Sequence, residues 1–278
     1  MAKILVTGAN GMLGQDLCPI LEDSGYDVIE TDIHNLDITN SKMVDKILSE
    51  EKPDYVIHCA GYTNVDKAEE ELDIARLINA KGTENIAKTC AKNDITLVYI
   101  STDYVFNGKG TSPYKPNDKP APLNNYGLTK WEGEEAVRNN LEKYYICRTS
   151  WLYGHHGKNF VETMLSLADK PELKVVDDQV GCPTWTVDLA NAIVKIIEVK
   201  PYGTYHTCGG GSTSWYGFAK EIFNMSGVKV NLKPCATEEF PRPATRPAYS
   251  IMDNGDLLRY WKLAIKDYLA LRIEKAGV

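Results

Sequence analysis

The sequence has no Cys-x-x-Cys pair and no excess of basic residues. It also has no apolar run of the roughly 20 residues that a membrane helix requires. Its seven cysteines, Cys18, Cys59, Cys90, Cys147, Cys182, Cys208 and Cys235, are scattered and odd in number. That pattern excludes a disulfide framework and a paired-cysteine zinc site, and it fits reduced thiols in a cytoplasmic protein. Lys and Arg total 31 against 38 Asp and Glu, a formal charge of −7. General affinity for nucleic acid, which rests on clustered cations, is thereby excluded, while a local basic pocket for an anionic ligand is not. An apolar strand begins near Lys3, so no signal peptide is expected ahead of it. There are no internal repeats and no low-complexity tracts.

The 278 residues suffice for one large domain or two smaller ones. Lys3–Thr7 reads as a buried strand running into Gly8-Ala9-Asn10-Gly11-Met12-Leu13-Gly14. A helix should follow with Leu13, Leu17, Ile20 and Leu21 on one face. Glycines at such a strand-to-helix turn let a pyrophosphate approach the backbone, and the first N–H groups of the helix bind its charge. The spacing is Gly-x-x-Gly-x-x-Gly, so the common dinucleotide fingerprint is met in part. Asp27–Asp32 reads as the next strand. A carboxylate at its end binds ribose hydroxyls and repels a 2′-phosphate, and the neighbours Ile33 and His34 bring no Lys or Arg. Asp32 therefore favours NADH over NADPH, with use of both left open.

Further along, Asp37 and Ile38 are placed to meet an adenine, or Asp37 with Thr39 to cap a helix over about 41–50. The strand 53–58 leads into Cys59-Ala60-Gly61-Tyr62-Thr63, small enough at first to admit a nicotinamide ribose. The acidic run 66–73 reads as a solvated helix start. A helix over 72–92 and a strand over 96–101 complete an alternation that implies right-handed crossovers and a parallel sheet. Ser101-Thr102-Asp103-Tyr104-Val105-Phe106 then falls at a strand's carboxyl end, where ligands bind in open α/β sheets.

Residues 107–125, rich in Gly, Pro and Asn, are expected to form a loop over the site. The helix after it carries Tyr126 and Lys130 one turn apart, an arrangement for a phenol acid beside a cation that lowers its pKa. A strand over 144–149 delivers Trp151, a candidate wall for a sugar pocket. His155 and His156 read as an exposed loop. Phe240-Pro241-Arg242-Pro243-Ala244-Thr245-Arg246-Pro247 cannot be helical, and its two arginines suit a diphosphate or simple solvation.

These segments together resemble the extended short-chain dehydrogenase/reductase superfamily, and within it the dTDP-4-dehydrorhamnose reductase family. The resemblance rests on Val6–Gly14, Asp66-Lys67-Ala68-Glu69, Ser101–Phe106, Tyr126–Lys130, Arg148-Thr149-Ser150-Trp151, and Arg246-Pro247 with Ser250. It implies an α/β fold, a Rossmann-type doubly wound parallel sheet with a smaller, discontinuous C-terminal substrate-binding domain. Residues 1–150 would hold the dinucleotide, and 151–278 mainly the substrate, with a segment near 174–206 returning to the first domain. It implies NAD(P)H-dependent reduction of the C4 ketone of a dTDP-sugar, with Tyr126 as acid, Lys130 as the cation and Thr102 as the tuning hydroxyl. Gly8, Asn10, Gly11, Met12, Leu13, Gly14, Asp32, Ile33, Asp37, Ile38, Cys59, Ala60, Gly61, Tyr62, Thr63 and Ser101 would line the cofactor. Thr102, Asp103, Val105, Phe106, Trp151, Arg242 and Arg246 would meet the substrate. Some relatives hold Mg2+ at a dimer contact; Asp16 stands where they carry Glu, and no further ligand set is evident. A monomer and a homodimer are both compatible with the sequence. An epimerase or dehydratase on the same scaffold, and a cofactor-sensing regulatory subunit, are the two other readings.

Overall fold

The computed structural model describes residues 1–276. Strand β1 (Lys3–Thr7) leads to helix α1 (Met12–Asp23), β2 (Asp27–Thr31), α2 (Ser41–Glu51) and β3 (Tyr55–His58). Helices α3 (Leu72–Arg76) and α4 (Thr83–Lys92) follow, joined through a wider π turn over Leu77–Gly82. Next come β4 (Thr96–Thr102), α5 (Asn125–Asn140) and β5 (Tyr144–Thr149). The remainder comprises β6 (Leu152–Tyr153), α6 (Phe160–Ser166), β7 (Leu173–Val176), β8 (Val180–Gly181) and β9 (Thr184–Trp185). It continues with α7 (Thr186–Val199), β10 (Gly203–His206), β11 (Thr213–Ser214), α8 (Trp215–Ser226), β12 (Leu232–Cys235) and α9 (Trp261–Ala276).

Among the described residues, six strands form a sheet in the order β10-β5-β4-β3-β1-β2, every pair parallel. A parallel sheet covered on both faces needs strands that are apolar on both sides, and alternate residues divide accordingly. Ile4, Val6, Ile57 and Val98 join a core with Leu17 and Leu21 of α1 and Ile193 and Ile196 of α7. Leu5, Val56, Leu97 and Tyr99 join the opposite core with Leu48 of α2 and Ile86 of α4. The chain runs from β1 outward to β2, then crosses to β3 on the other flank. That reversal opens a crevice at the carboxyl ends of β1 and β3.

Helix α7 and strand β10 bring Thr186–His206 back to the sheet, whereas β7 pairs with β12 in the C-terminal layer. That layer has its own core, built around Tyr153, Phe218, Ile222, Trp261, Ile265 and Tyr268. Residues 107–124 form a loop, one residue shorter than expected, and none of them lines the cleft. Tyr114 pairs with Met252, and the Pro116 carbonyl accepts from Arg148, so the loop ties the C-terminal layer to β5 instead. The segment carrying His155 and His156 is likewise partly buried: His155 stacks on Tyr268 with ring centroids 4.2 Å apart, and His156 Nε2 lies 3.3 Å from Asp16. No helix of the described residues is long and apolar enough to cross a membrane.

Candidate active site

A cleft of about 750 Å³ runs from the glycine turn, past the ends of β3 and β4, to the C-terminal layer. Gly8 adopts φ +68°, and a Cβ there would lie 2.8 Å from the Ala60 nitrogen, so only glycine lets β1 and β3 end side by side. A Cβ on Gly14 would lie 2.5 Å from the Ala9 carbonyl, which seats α1 against its own turn. Gly11 caps α1 without a side-chain hydrogen bond, and the first turn carries no acid, so its N–H groups stay open to an anion. This cradle fits a dinucleotide pyrophosphate.

Gly8, Gly11, Met12, Leu13, Gly14, Asp32, Ile33, Asp37, Ile38, Cys59, Ala60, Gly61 and Thr63 all line the cleft. Asn10 does not; its N–H donates to Asp32 at 3.1 Å and fixes the carboxylate against the turn. The Tyr62 ring also turns away, its hydroxyl donating to Glu71 at 2.5 Å. Its backbone N–H is held by the Asn79 side chain at 2.8 Å, which shapes the Gly61 segment from the π turn. The helix-cap reading of Asp37 falls to its neighbour: Asp37 accepts from the Thr39 N–H and hydroxyl, while Asn40 caps α2.

Helix α5 begins under close control. Asn124 accepts from the Gly127 N–H at 2.8 Å, and Glu69 accepts from the Asn125 N–H at 2.8 Å. A Cβ on Gly127 would sit 2.1 Å from the Tyr104 carbonyl, so glycine alone lets the helix approach the turn after β4 this closely. Tyr126 meets Tyr104 edge to face and stands at the cleft wall with Thr102 and Asp103. One turn on, Lys130 is buried, donates to the Ile100 carbonyl at 2.7 Å and lies 4.1 Å from the Tyr99 ring centre. Burial lowers its ammonium to about 7. Burial also pushes the Tyr126 phenol up to about 12, opposed by its hydrogen bond with Thr102. Desolvation thus runs against the expected depression of the phenol by the neighbouring cation.

Asp103 is buried; it accepts from Thr102 at 3.0 Å, and its Oδ2 has no hydrogen-bond partner. Burial raises it to about 6 against hydrogen bonds from Ser250 and Thr102. Thr149, another cleft residue, likewise has an unmet buried hydroxyl. Buried polar atoms without a partner are uncommon, and these two lie in the cleft wall. Trp151 holds a left-handed backbone, φ +47°, unusual for so bulky a side chain. Its ring stacks on Trp215 with centroids 3.5 Å apart.

Several expectations are corrected. After Thr102 the chain enters a 3-10 turn over Asp103–Val105 that turns Val105 and Phe106 inward. Both are fully buried with Cys182, Cys208 and Met252, and Phe106 stacks on Tyr114, so neither faces the cleft. Ser101 lines the cleft, but its hydroxyl is spent on Glu134 at 2.6 Å. Arg246 pairs in bidentate fashion with Asp66, and the exposed Arg242 lies 4.0 Å from the same carboxylate; neither lines the cleft. The acidic run is accordingly engaged, not merely solvated. Asp16 accepts from Thr186, and no group of three or more His, Cys, Asp or Glu that could hold a metal occurs among the described residues. The sequence assigns no cofactor or substrate role to several lining residues, Tyr104, Thr149, Lys158 and Trp215 among them. Trp215 follows only a Gly-rich loop and a Ser214 cap, with nothing local to announce that it would meet Trp151.

A family model described as the RmlD substrate binding domain matches residues 2–271. A dTDP-4-dehydrorhamnose reductase structure from Clostridium acetobutylicum superposes with TM-score 0.95 at 49% identity, covering 97% of this chain and 99% of that one. The dTDP-4-dehydrorhamnose reductase of Bacillus anthracis, solved in complex with NADP, gives 0.94 at 44%, covering 98% and 100%. The spore coat polysaccharide biosynthesis protein SpsK of Bacillus subtilis is 44% identical over 98% of both chains. The chain belongs to the RmlD substrate-binding-domain family, alongside the dTDP-4-dehydrorhamnose reductases.

Proposed function

We propose that this protein reduces the C4 ketone of dTDP-4-dehydro-6-deoxy-L-mannose to give dTDP-L-rhamnose, using a reduced nicotinamide dinucleotide. The observation that carries the reading is one cleft holding Tyr126, Lys130 and Thr102 at one end and an uncapped glycine turn at the other. A bound nicotinamide supplies the hydride. Tyr126 gives its phenolic proton to the alkoxide oxygen that develops at C4, general acid catalysis worth roughly 10²–10⁴-fold. Lys130, charged, stabilises the phenolate left behind, and Thr102 orients the phenol. Asp103 and Thr149, each with a buried polar atom unmet, line the cleft where the sugar would lie. The Trp151–Trp215 pair closes the sugar end, and Lys158 in the cleft lining is a cation available to a diphosphate. Residues 1–150 with α7 and β10 form the dinucleotide domain, and the remainder forms the substrate domain.

At the adenosine end, Asp32 and the absence of a neighbouring Lys or Arg favour NADH. The NADP held by the Bacillus anthracis relative makes the ratio of kcat/KM for the two coenzymes the quantity to measure.

The deciding experiment supplies dTDP-4-keto-6-deoxy sugars with NADH or NADPH and follows coenzyme absorbance together with product structure. Stoichiometric oxidation yielding the 6-deoxy-L-mannose nucleotide is expected. An isomerised sugar with no net oxidation would assign the cleft to epimerisation instead.

A further inference from the structure

Glu134 lies one turn beyond Lys130 on α5 and is wholly buried. Three side chains from three elements converge on it with four hydrogen bonds. Ser101 of β4 donates to Oε1 at 2.6 Å; Arg148 of β5 grips both oxygens at 2.8 and 2.7 Å; Arg138 of α5 donates to Oε2 at 2.8 Å. Arg138 also reaches Thr204 of β10 at 3.2 Å, and Arg148 reaches the Pro116 carbonyl at 3.1 Å. A hydrophobic residue would pack α5 on the sheet without the desolvation cost of this cluster.

What the cluster adds is a fixed anion beside the catalytic helix. From β3 and its turn, His58 and Cys59 face Lys130; from β4, Tyr99; on α5, Tyr126 precedes it and Glu134 follows. Burial pushes His58 down to about 3 and raises Cys59, Tyr99 and Tyr126, so all four are neutral near pH 7. Glu134 is held ionised: burial alone would raise it, but Arg148 and Arg138 outweigh that.

We propose that Glu134 is a positioning residue for the reduction, a buried anion that locks α5 to β4 and β5 and balances the Lys130 ammonium one turn away. The proposal rests on the reductase reading for its kinetic test alone. Through Ser101, Glu134 fixes the residue before Thr102; through its own helix, it fixes Tyr126 and Lys130. Its charge favours the cationic lysine that the buried site otherwise disfavours.

The test is the pH dependence of kcat/KM, which reports groups of the free enzyme, in the wild type, Glu134→Gln and Arg138→Gln. Activity requires Lys130 charged, so the alkaline limb of the profile marks loss of its proton. In Glu134→Gln that limb should move down by about 1 pH unit, with a loss of at least about tenfold at neutral pH. Arg138→Gln removes a half-exposed cation and leaves Glu134 less neutralised, so its limb should move up. Opposite shifts are not expected of a purely structural cluster. If Glu134→Gln does not fold, the Arg138→Gln limb decides alone: an upward shift supports the proposal and an unmoved limb overturns it. Folded variants that lose activity equally at every pH would also overturn it. The same limb is read in NADH binding by fluorescence, so a wild type inert on keto-sugars would defeat the reductase reading while leaving Glu134 tested.

Discussion

Two buried carboxylates flank the end of β4, and they differ in whether their oxygens are met. Consecutive strand residues serve them: Ser101 donates to Glu134, and Thr102 donates to Asp103. Glu134 has a partner on each oxygen and is held below the usual carboxylate range despite burial, because Arg148 and Arg138 surround it. Asp103 has one oxygen unmet, and burial raises it to about 6. A buried polar group costs free energy unless it is hydrogen-bonded. The satisfied acid therefore belongs to the scaffold, and the unsatisfied one sits in the wall of the cleft.

The largest expected effect comes from breaking the satisfied side. Arg148→Ala leaves Glu134 without its bidentate partner and should cost about 3–5 kcal/mol in urea denaturation; a loss below about 1 kcal/mol would remove the cluster from the scaffold. The unsatisfied side should respond in the opposite direction. Asp103→Asn should stabilise the protein by about 1–2 kcal/mol above pH 6, because no buried charge then goes unpaired. The sign follows from linkage: with the folded pKa raised to about 6, ionising Asp103 favours unfolding as pH rises from about 4 to 6. Thermal melts of the two proteins should therefore converge at lower pH, while kcat/KM for the sugar falls in the variant. A third acid sharpens the comparison from the surface. Asp66 holds Arg246 in a bidentate pair but only grazes Arg242. Arg246→Gln should cost about 1 kcal/mol or less, and Arg242→Gln should stay within about 0.5 kcal/mol, both measured by denaturation.

The sheet was legible because parallel strands covered on both faces are short apolar runs, and Lys3–Thr7, Tyr55–His58 and Thr96–Thr102 are of that kind. The glycine turn and the Tyr126–Lys130 spacing were legible because each depends on neighbours in sequence. What escaped depends on distant partners. The Asp66–Arg246 pair spans 180 residues, and nothing near Asp66 marks it as engaged. Trp215 reaches Trp151 only after the C-terminal layer folds back. Val105 and Phe106 were misplaced because a single 3-10 turn after Thr102 breaks the alternation that would have aimed them at the ligand. Glu134 reads as one more helical acid until Arg148 arrives from β5.

The central claim is that the Tyr126 hydroxyl delivers the proton in the cleft it shares with the glycine turn. Tyr126→Phe tests it, with NADH binding measured by fluorescence and coenzyme oxidation followed with the dTDP-4-keto sugar. Unchanged coenzyme binding with turnover reduced by roughly 10²–10⁴-fold is expected. Turnover close to that of the wild type would contradict the account.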